Sequence, residues 1–122
     1  MDESIVKVFE QQQVGKLKLS EAIRIGARMR PDCRVCWGDG VGSCALLAAA
    51  EATGMSYKAP RDGPIIRAHL DRKIPDWRDA DNAFSMAHDG FPDNEGMTIS
   101  HHHYIGTMTR EQIADWLEAR GY

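Results

Sequence analysis

The sequence is poor in the features that mark secreted or membrane-bound proteins. It holds three cysteines, an odd number that excludes a complete disulfide framework, and a chain of 122 residues has core enough to fold without staples. It lacks an apolar N-terminal signal. Its longest uninterrupted apolar run, Cys44 to Ala50, falls far short of the roughly 20 residues of a membrane span. These absences predict one globular domain, residues 1–122, in the cytoplasm, with reduced thiols and no membrane partner. A formal net charge of -3 also removes the basic excess expected of a general nucleic-acid binder.

What charge there is lies unevenly. Between Lys16 and Arg34 stand Lys16, Lys18, Arg24, Arg28, Arg30 and Arg34 against only Glu21 and Asp32, whereas the stretch from Asp76 to Glu95 holds six acids against Arg78 alone. Such segments either face one another, within the fold or in a homodimer, or simply solvate the surface.

The least polar stretch, Gly42 to Gly54, reads as a helix over residues 43–53. Ser43 stands where a cap is needed, the alanine-rich interior is made of strong helix formers, and Gly54 supplies the left-handed residue that ends such helices. So much alanine lets neighbours approach closely, which predicts a central, mostly buried element. Ser20 as N-cap, Glu21 in the first turn, and Leu19, Ala22, Ile23, Gly26 and Ala27 on one face predict an amphipathic helix over 20–30, ended by Pro31. Near the end of the chain, Thr109 and Gln112 form a capping box, Met108 and Ile113 a hydrophobic staple, and Ile113, Trp116 and Leu117 an apolar face. They predict a helix over 109–120, stopped at Gly121. The segment from Thr109 to Leu117 has the look of the first helix of a helix-turn-helix, but with Tyr122 last in the sequence no recognition helix is expected after it.

Other elements are less sharply written. Ile5, Val8 and Phe9 fall at helical spacing between Ser4 and Gln13, before Gly15. Pro64 opens a helix over 64–73 that closes before Pro75, and Ala80, Ala83, Phe84 and Ala87 predict another over 79–88 with Gly90 as its stop. Ile99, His101, His103 and Ile105 alternate between Met97 and Ile105, which predicts a short strand, with residues 34–37 as the strand to pair with it. The expected fold is therefore mainly α with a short β element, a small α+β domain whose central helix 43–53 is packed by helices 20–30 and 109–120.

Candidate chemistry concentrates in two places. Cys33 and Cys36 form a C-x-x-C pair with Cys44 eight residues on. Zinc is the cofactor such a set would take, completed by one of His69, His88, His101, His102 or His103. A strand pairing of 34–37 with 97–105 would bring Cys36 near His101 and His103, which share one face of a strand; Cys33, Cys36, Cys44, His101 and His103 are the candidate metal ligands. The alternative for the cysteines is a set of buried structural thiols. Cys44 at the first helical position is the one whose thiol a helix terminus would activate if it were exposed. Gly40, Gly42 and Ser43 precede a helix N-terminus, where free amides favour an anion, and Arg24 and Arg28, one helical turn apart, supply a basic stripe. The glycines serve equally as a flexible turn, and the arginines as a solvated face. Glu51 shares a helical face with Cys44, Leu47 and Ala48 and is expected to be drawn inward; a half-buried carboxylate of this kind either acts as a catalytic base or, more commonly, pairs with a cation such as Arg24 or Arg28. The acids between Asp89 and Gly96 lack EF-hand spacing.

Lys18 to Arg24 with Gly26 and Ala27, then Cys44-Ala-Leu with Ala48-Ala49 and Glu51-Ala52, then Thr109 to Leu117 together resemble a group of small bacterial and phage-borne proteins of unknown function. In that group a short basic helix, a Cys-Ala-Leu-Gly-Ala-type helix and a closing Arg-Glu-x-Ile-Ala-type helix recur in this order. The likeness covers about half of the chain. Leu47 departs from the group's glycine, and His102 and His103 stand where an Asn-Asp pair is usual. The resemblance implies a compact bacterial or mobile-element domain and no activity. No spacing forces two catalytic groups together, so no catalytic residue is nominated. The expected function is a non-enzymatic protein-interaction module. The alternatives are a metal- or anion-binding protein and a nucleic-acid binder acting through the basic segment 16–34, whose affinity would fall steeply with salt.

Overall fold

A computed structural model describes residues 17–33, 40–58, 62–92, 98–104 and 106–122; the helix expected over 4–13 and the strand expected over 34–37 lie outside the described residues. Six helices follow one another among the described residues: α1 (Leu19–Met29), α2 (Ala45–Ala52), α3 (Gly63–Lys73), α4 (Trp77–His88), α5 (Thr98–Tyr104) and α6 (Arg110–Glu118). None of them is long and apolar enough to cross a membrane.

The alanine helix is central. Every residue of α2 is buried, and α1, α3 and α5 pack against it. Helix α6 packs chiefly against α1 and shares the core cluster with α2. Gly26 explains how α1 comes so close: a Cβ built there would stand 1.9 Å from the Ala48 carbonyl oxygen, so only glycine lets the two backbones touch. Leu19, Ile23, Leu46, Leu47, Ile66, Leu70, Trp77, Phe84, Ile99, Ile113 and Leu117 fill the surrounding core.

The ends of the helices show which local signals count. Helix α6 begins as its sequence requires: Thr109 Oγ1 accepts from the Gln112 amide at 3.1 Å, and the Thr109 amide donates to Gln112 Oε1 at 2.8 Å. The stop after α2 also forms as expected. Gly54 has φ 105°, its amide donates to Glu51 O, and the Met55 amide donates to Ala50 O at 3.0 Å, closing the helix with a left-handed turn. Asp62 caps α3 by accepting from the Ile65 amide at 2.9 Å, with Pro64 in the first turn. Helix α4 starts at Trp77, two residues before the expected position 79.

Two expected caps do not form. Lys18 precedes α1, and its amide is met by Glu21 Oε1; Ser20 lies inside the first turn, buried, with its own amide donating to the Tyr122 carbonyl at 3.0 Å. Before α2 the N-cap position belongs to Cys44, not Ser43, so Cys44 precedes the first helical residue. Ser43 is drawn into an isolated parallel bridge with Asp32. In both places a tertiary partner takes the residue that local chemistry had assigned to capping.

In place of the strand expected over 97–105, residues 98–104 are helical. Residues 98–104 form α5, and among the described residues the bridge between Asp32 and Ser43 is the only extended pairing, so the short β element is not seen. The reason is physical. Ile99 and His103, read as alternating strand positions, are also four apart, and both are fully buried on one face of a helix. The buried Asp81 carboxylate accepts from the Ile99 amide at 2.9 Å, satisfying a first-turn donor of the helix from another part of the fold.

Candidate functional site

Helices α1 and α6 run antiparallel, and charged side chains meet along their seam. At one end Ser20 meets Tyr122; further along, Arg24 Nη2 donates to Asp115 Oδ1 at 2.6 Å and to Glu118 Oε2 at 3.0 Å; at the far end Arg110 reaches the last carbonyls of α1. The Asp115 hydrogen bond outweighs partial burial and holds the Arg24 guanidinium above its usual range.

Arg110 is buried and serves the fold. Its Nη1 donates to Arg30 O at 3.1 Å, to Ser43 Oγ at 3.1 Å and, at longer range, to Pro31 O and Ser43 O, while Nη2 donates to Ala27 O at 3.4 Å. A cation here meets the orphan carbonyls at the C-terminus of α1 and ties them to the segment entering α2. Its Nε lies 3.7 Å from Asp32 Oδ1, whose other neighbour is the fully buried His103, Nε2 at 2.6 Å.

Other buried polar groups are likewise engaged in holding segments together. Glu51 is drawn inward and pairs with a cation as expected, the partner being Arg30, whose Nε donates to both carboxylate oxygens at 3.0 and 2.8 Å, rather than the Arg24 or Arg28 named as examples. Arg30 follows the last residue of α1 in extended conformation and reaches Glu51 on α2, whereas Arg24, within α1, pairs with α6. The same guanidinium lies 3.6 Å over the Tyr57 ring, whose hydroxyl donates to Gly42 O at 2.6 Å. His69, buried on α3, stands with Nε2 3.0 Å from Thr53 Oγ1. Because Thr53 Oγ1 already donates to the carbonyls of Ala49 and Ala50, the imidazole is the donor in that contact. Burial, with Arg72 and Lys73 nearby, pushes the His69 pKa below the ordinary histidine range.

Among the described residues the expected metal ligands are not brought together. His101 and His103 sit on a helix, about 200° apart around its axis; His101 is exposed and His103 fully buried. Cys33 and Cys44 are buried, and Cys36 lies outside the described residues. Among the described residues no three histidine, cysteine or acidic side chains are placed to hold a metal ion. The expected anion residues fall in two places. Gly42 is pressed between Pro31 O and Cys33 Cβ, where a side chain would not fit, and Ser43 Oγ faces Arg110, while Gly40 is exposed with φ 94°. Arg24 and Arg28 are on the α1/α6 seam.

That seam opens into a cleft of about 290 Å³, lined by Arg24, Ala27 and Arg28 from α1 and by Glu111 and Asp115 from α6. One wall is basic and the other acidic. Arg24 is engaged by its carboxylates, but one turn along, Arg28 and Glu111 are exposed, and among the described residues neither has an ion-pair partner.

No family model, curated protein or solved structure matches the chain. The site must therefore be read from its own chemistry.

A cluster of aromatic rings joins α4, α5 and α6. Phe84 and His88 stack at 4.0 Å between ring centres on α4, and Trp116 and His102 pack against the pair from α6 and α5 at 5.2–5.4 Å. Arg120 covers the Trp116 ring at 3.9 Å. His102 Nε2 lies 2.9 Å from Asp89 Oδ1, and its Nδ1 lies 2.9 Å from Thr107 Oγ1. Phe84 and His88 are four apart on one helix, the one local hint the sequence carried. Their partners come from helices 14 or more residues away.

Proposed function

We propose that the protein is a non-enzymatic protein-interaction module and that the α1/α6 cleft is its contact surface. The observation that carries this reading is the pair of facing walls of opposite charge, with Arg28 and Glu111 exposed and unmatched among the described residues. A phosphate or nucleic-acid ligand would meet the carboxylates of Glu111 and Asp115 together with the two arginines, so the acidic wall disfavours it. A protein surface carrying both an acid and a base satisfies both walls at once. The buried polar groups support the same reading, since Arg110, Glu51 and His69 are engaged in joining segments of the fold.

Position-specific crosslinking tests this. With a photo-crosslinking residue in place of Arg28, the full-length protein expressed in cells should give discrete protein adducts, and adding Glu111→Arg should remove them. The same probe at Arg72, exposed on α3, should give none. Adducts that form equally from both positions, or that ignore Glu111→Arg, would overturn the reading.

A further inference from the structure

Resting on that reading of the cleft, we infer that its occupant is a second copy of this chain, joined across a two-fold axis by reciprocal Arg28–Glu111 pairs. The antiparallel register sets this up. Arg24 meets Asp115 and Glu118, Arg110 meets Ala27 and Arg30, and Arg28 and Glu111 stand between these anchors on opposite walls of the opening. Ala27, between the two arginines in sequence, contributes only a methyl group to the lining and leaves the opening unfilled. Across a two-fold axis, any contact of residue i with residue j is repeated as j with i, so a patch whose base and acid are both unmatched among the described residues is complementary to itself. Two copies then place Arg28 of each chain against Glu111 of the other, and both pairs form at once. The complex is held by exposed charge and is weak and salt-sensitive, because such pairs each contribute little and are screened within about 8 Å at physiological ionic strength.

The design of the interface makes its test specific. Arg28→Glu leaves two acids at the interface, and Glu111→Arg leaves two bases, so each variant repels itself. The two are complementary to one another. In sedimentation equilibrium of the full chain, the wild type should show a reversible dimer that weakens as salt rises from about 0.05 M to about 0.5 M. Each single variant should associate at least about tenfold more weakly, and an equimolar mixture should regain wild-type association as a heterodimer. Circular dichroism of each variant checks that it is folded; both positions are exposed, and the recovery on mixing reports on pairing independently of small stability changes. A wild type that stays monomeric at low salt up to about millimolar concentration, or variants that fail to recover on mixing, would overturn the inference. Arg28 and Glu111 would then pair within one chain. Crosslinks from position 28 to foreign proteins alone would reject self-association while leaving the cleft as the contact surface; no crosslinks and no dimer would reject both.

Discussion

The α1–α6 seam carries two arginine assemblies built from the same pair of helices, and they differ in what surrounds them. Arg110 is buried among backbone carbonyls, Ser43 and Asp32. Arg24 lies toward solvent, 30% exposed, against carboxylates that are 73% and 65% exposed. Removing the buried guanidinium strands the buried acceptors of Ser43 together with the half-buried carbonyls of Ala27, Arg30 and Pro31, whereas removing the exposed one returns its partners to solvent. Burial thus separates the charges that hold this molecule together from those left over for a partner.

The sharpest way to break that contrast is Arg110→Ala. It should cost about 3–5 kcal/mol, the range for leaving buried polar partners unmatched, read by urea denaturation. A loss below about 1 kcal/mol would mean that water replaces the guanidinium and that the two assemblies do not differ in kind.

His69 is an intermediate case, a buried titratable group whose hydrogen-bond partner carries no charge. Its folded pKa is lowered, chiefly by burial, so the folded state holds the proton less tightly than the unfolded chain does. The stability this provides is present above the unfolded value of about 6.5 and is lost as pH falls from there toward the lower folded value. Between about pH 7.5 and about pH 5.5 the wild type should therefore lose stability that His69→Gln does not. Parallel profiles for the two proteins would remove His69 from the account.

The smallest effect is expected for Arg24→Ala, at about 0–1 kcal/mol, shrinking further in high salt. A larger, salt-independent loss would show that Arg24 acts through the packing of its aliphatic stem and would narrow the distance between the two ends of the seam.

Several elements were legible because their determinants are local. Thr109 and Gln112 are three residues apart, Gly54 follows its helix directly, and Pro31 acts on Arg30 through covalent geometry; α6, the end of α2 and the end of α1 form where expected. The same locality misled at Ser20 and Ser43, where Tyr122 and Asp32 claim the backbone. Residues 98–104 show how little a short alternating pattern decides, since Ile99 and His103 fit one face of a strand or of a helix equally well, and Asp81 breaks the tie from 18 residues away. Half of the candidate site was visible as the basic stripe of Arg24 and Arg28. Its acidic wall was not, because Asp115 lies 91 residues from Arg24.

What the sequence by itself determined is a mainly helical chain organised around an alanine-rich helix, since propensity, capping and apolar spacing act within a few residues of each other. What only the tertiary structure decided is which charged groups meet. Glu51 takes Arg30, Arg110 crosses to the end of α1, and Arg28 is left facing Glu111 across an open cleft. Those choices depend on how two helices are rotated and registered against each other, a quantity set by contacts such as Gly26 on Ala48 and invisible in any single stretch of the chain.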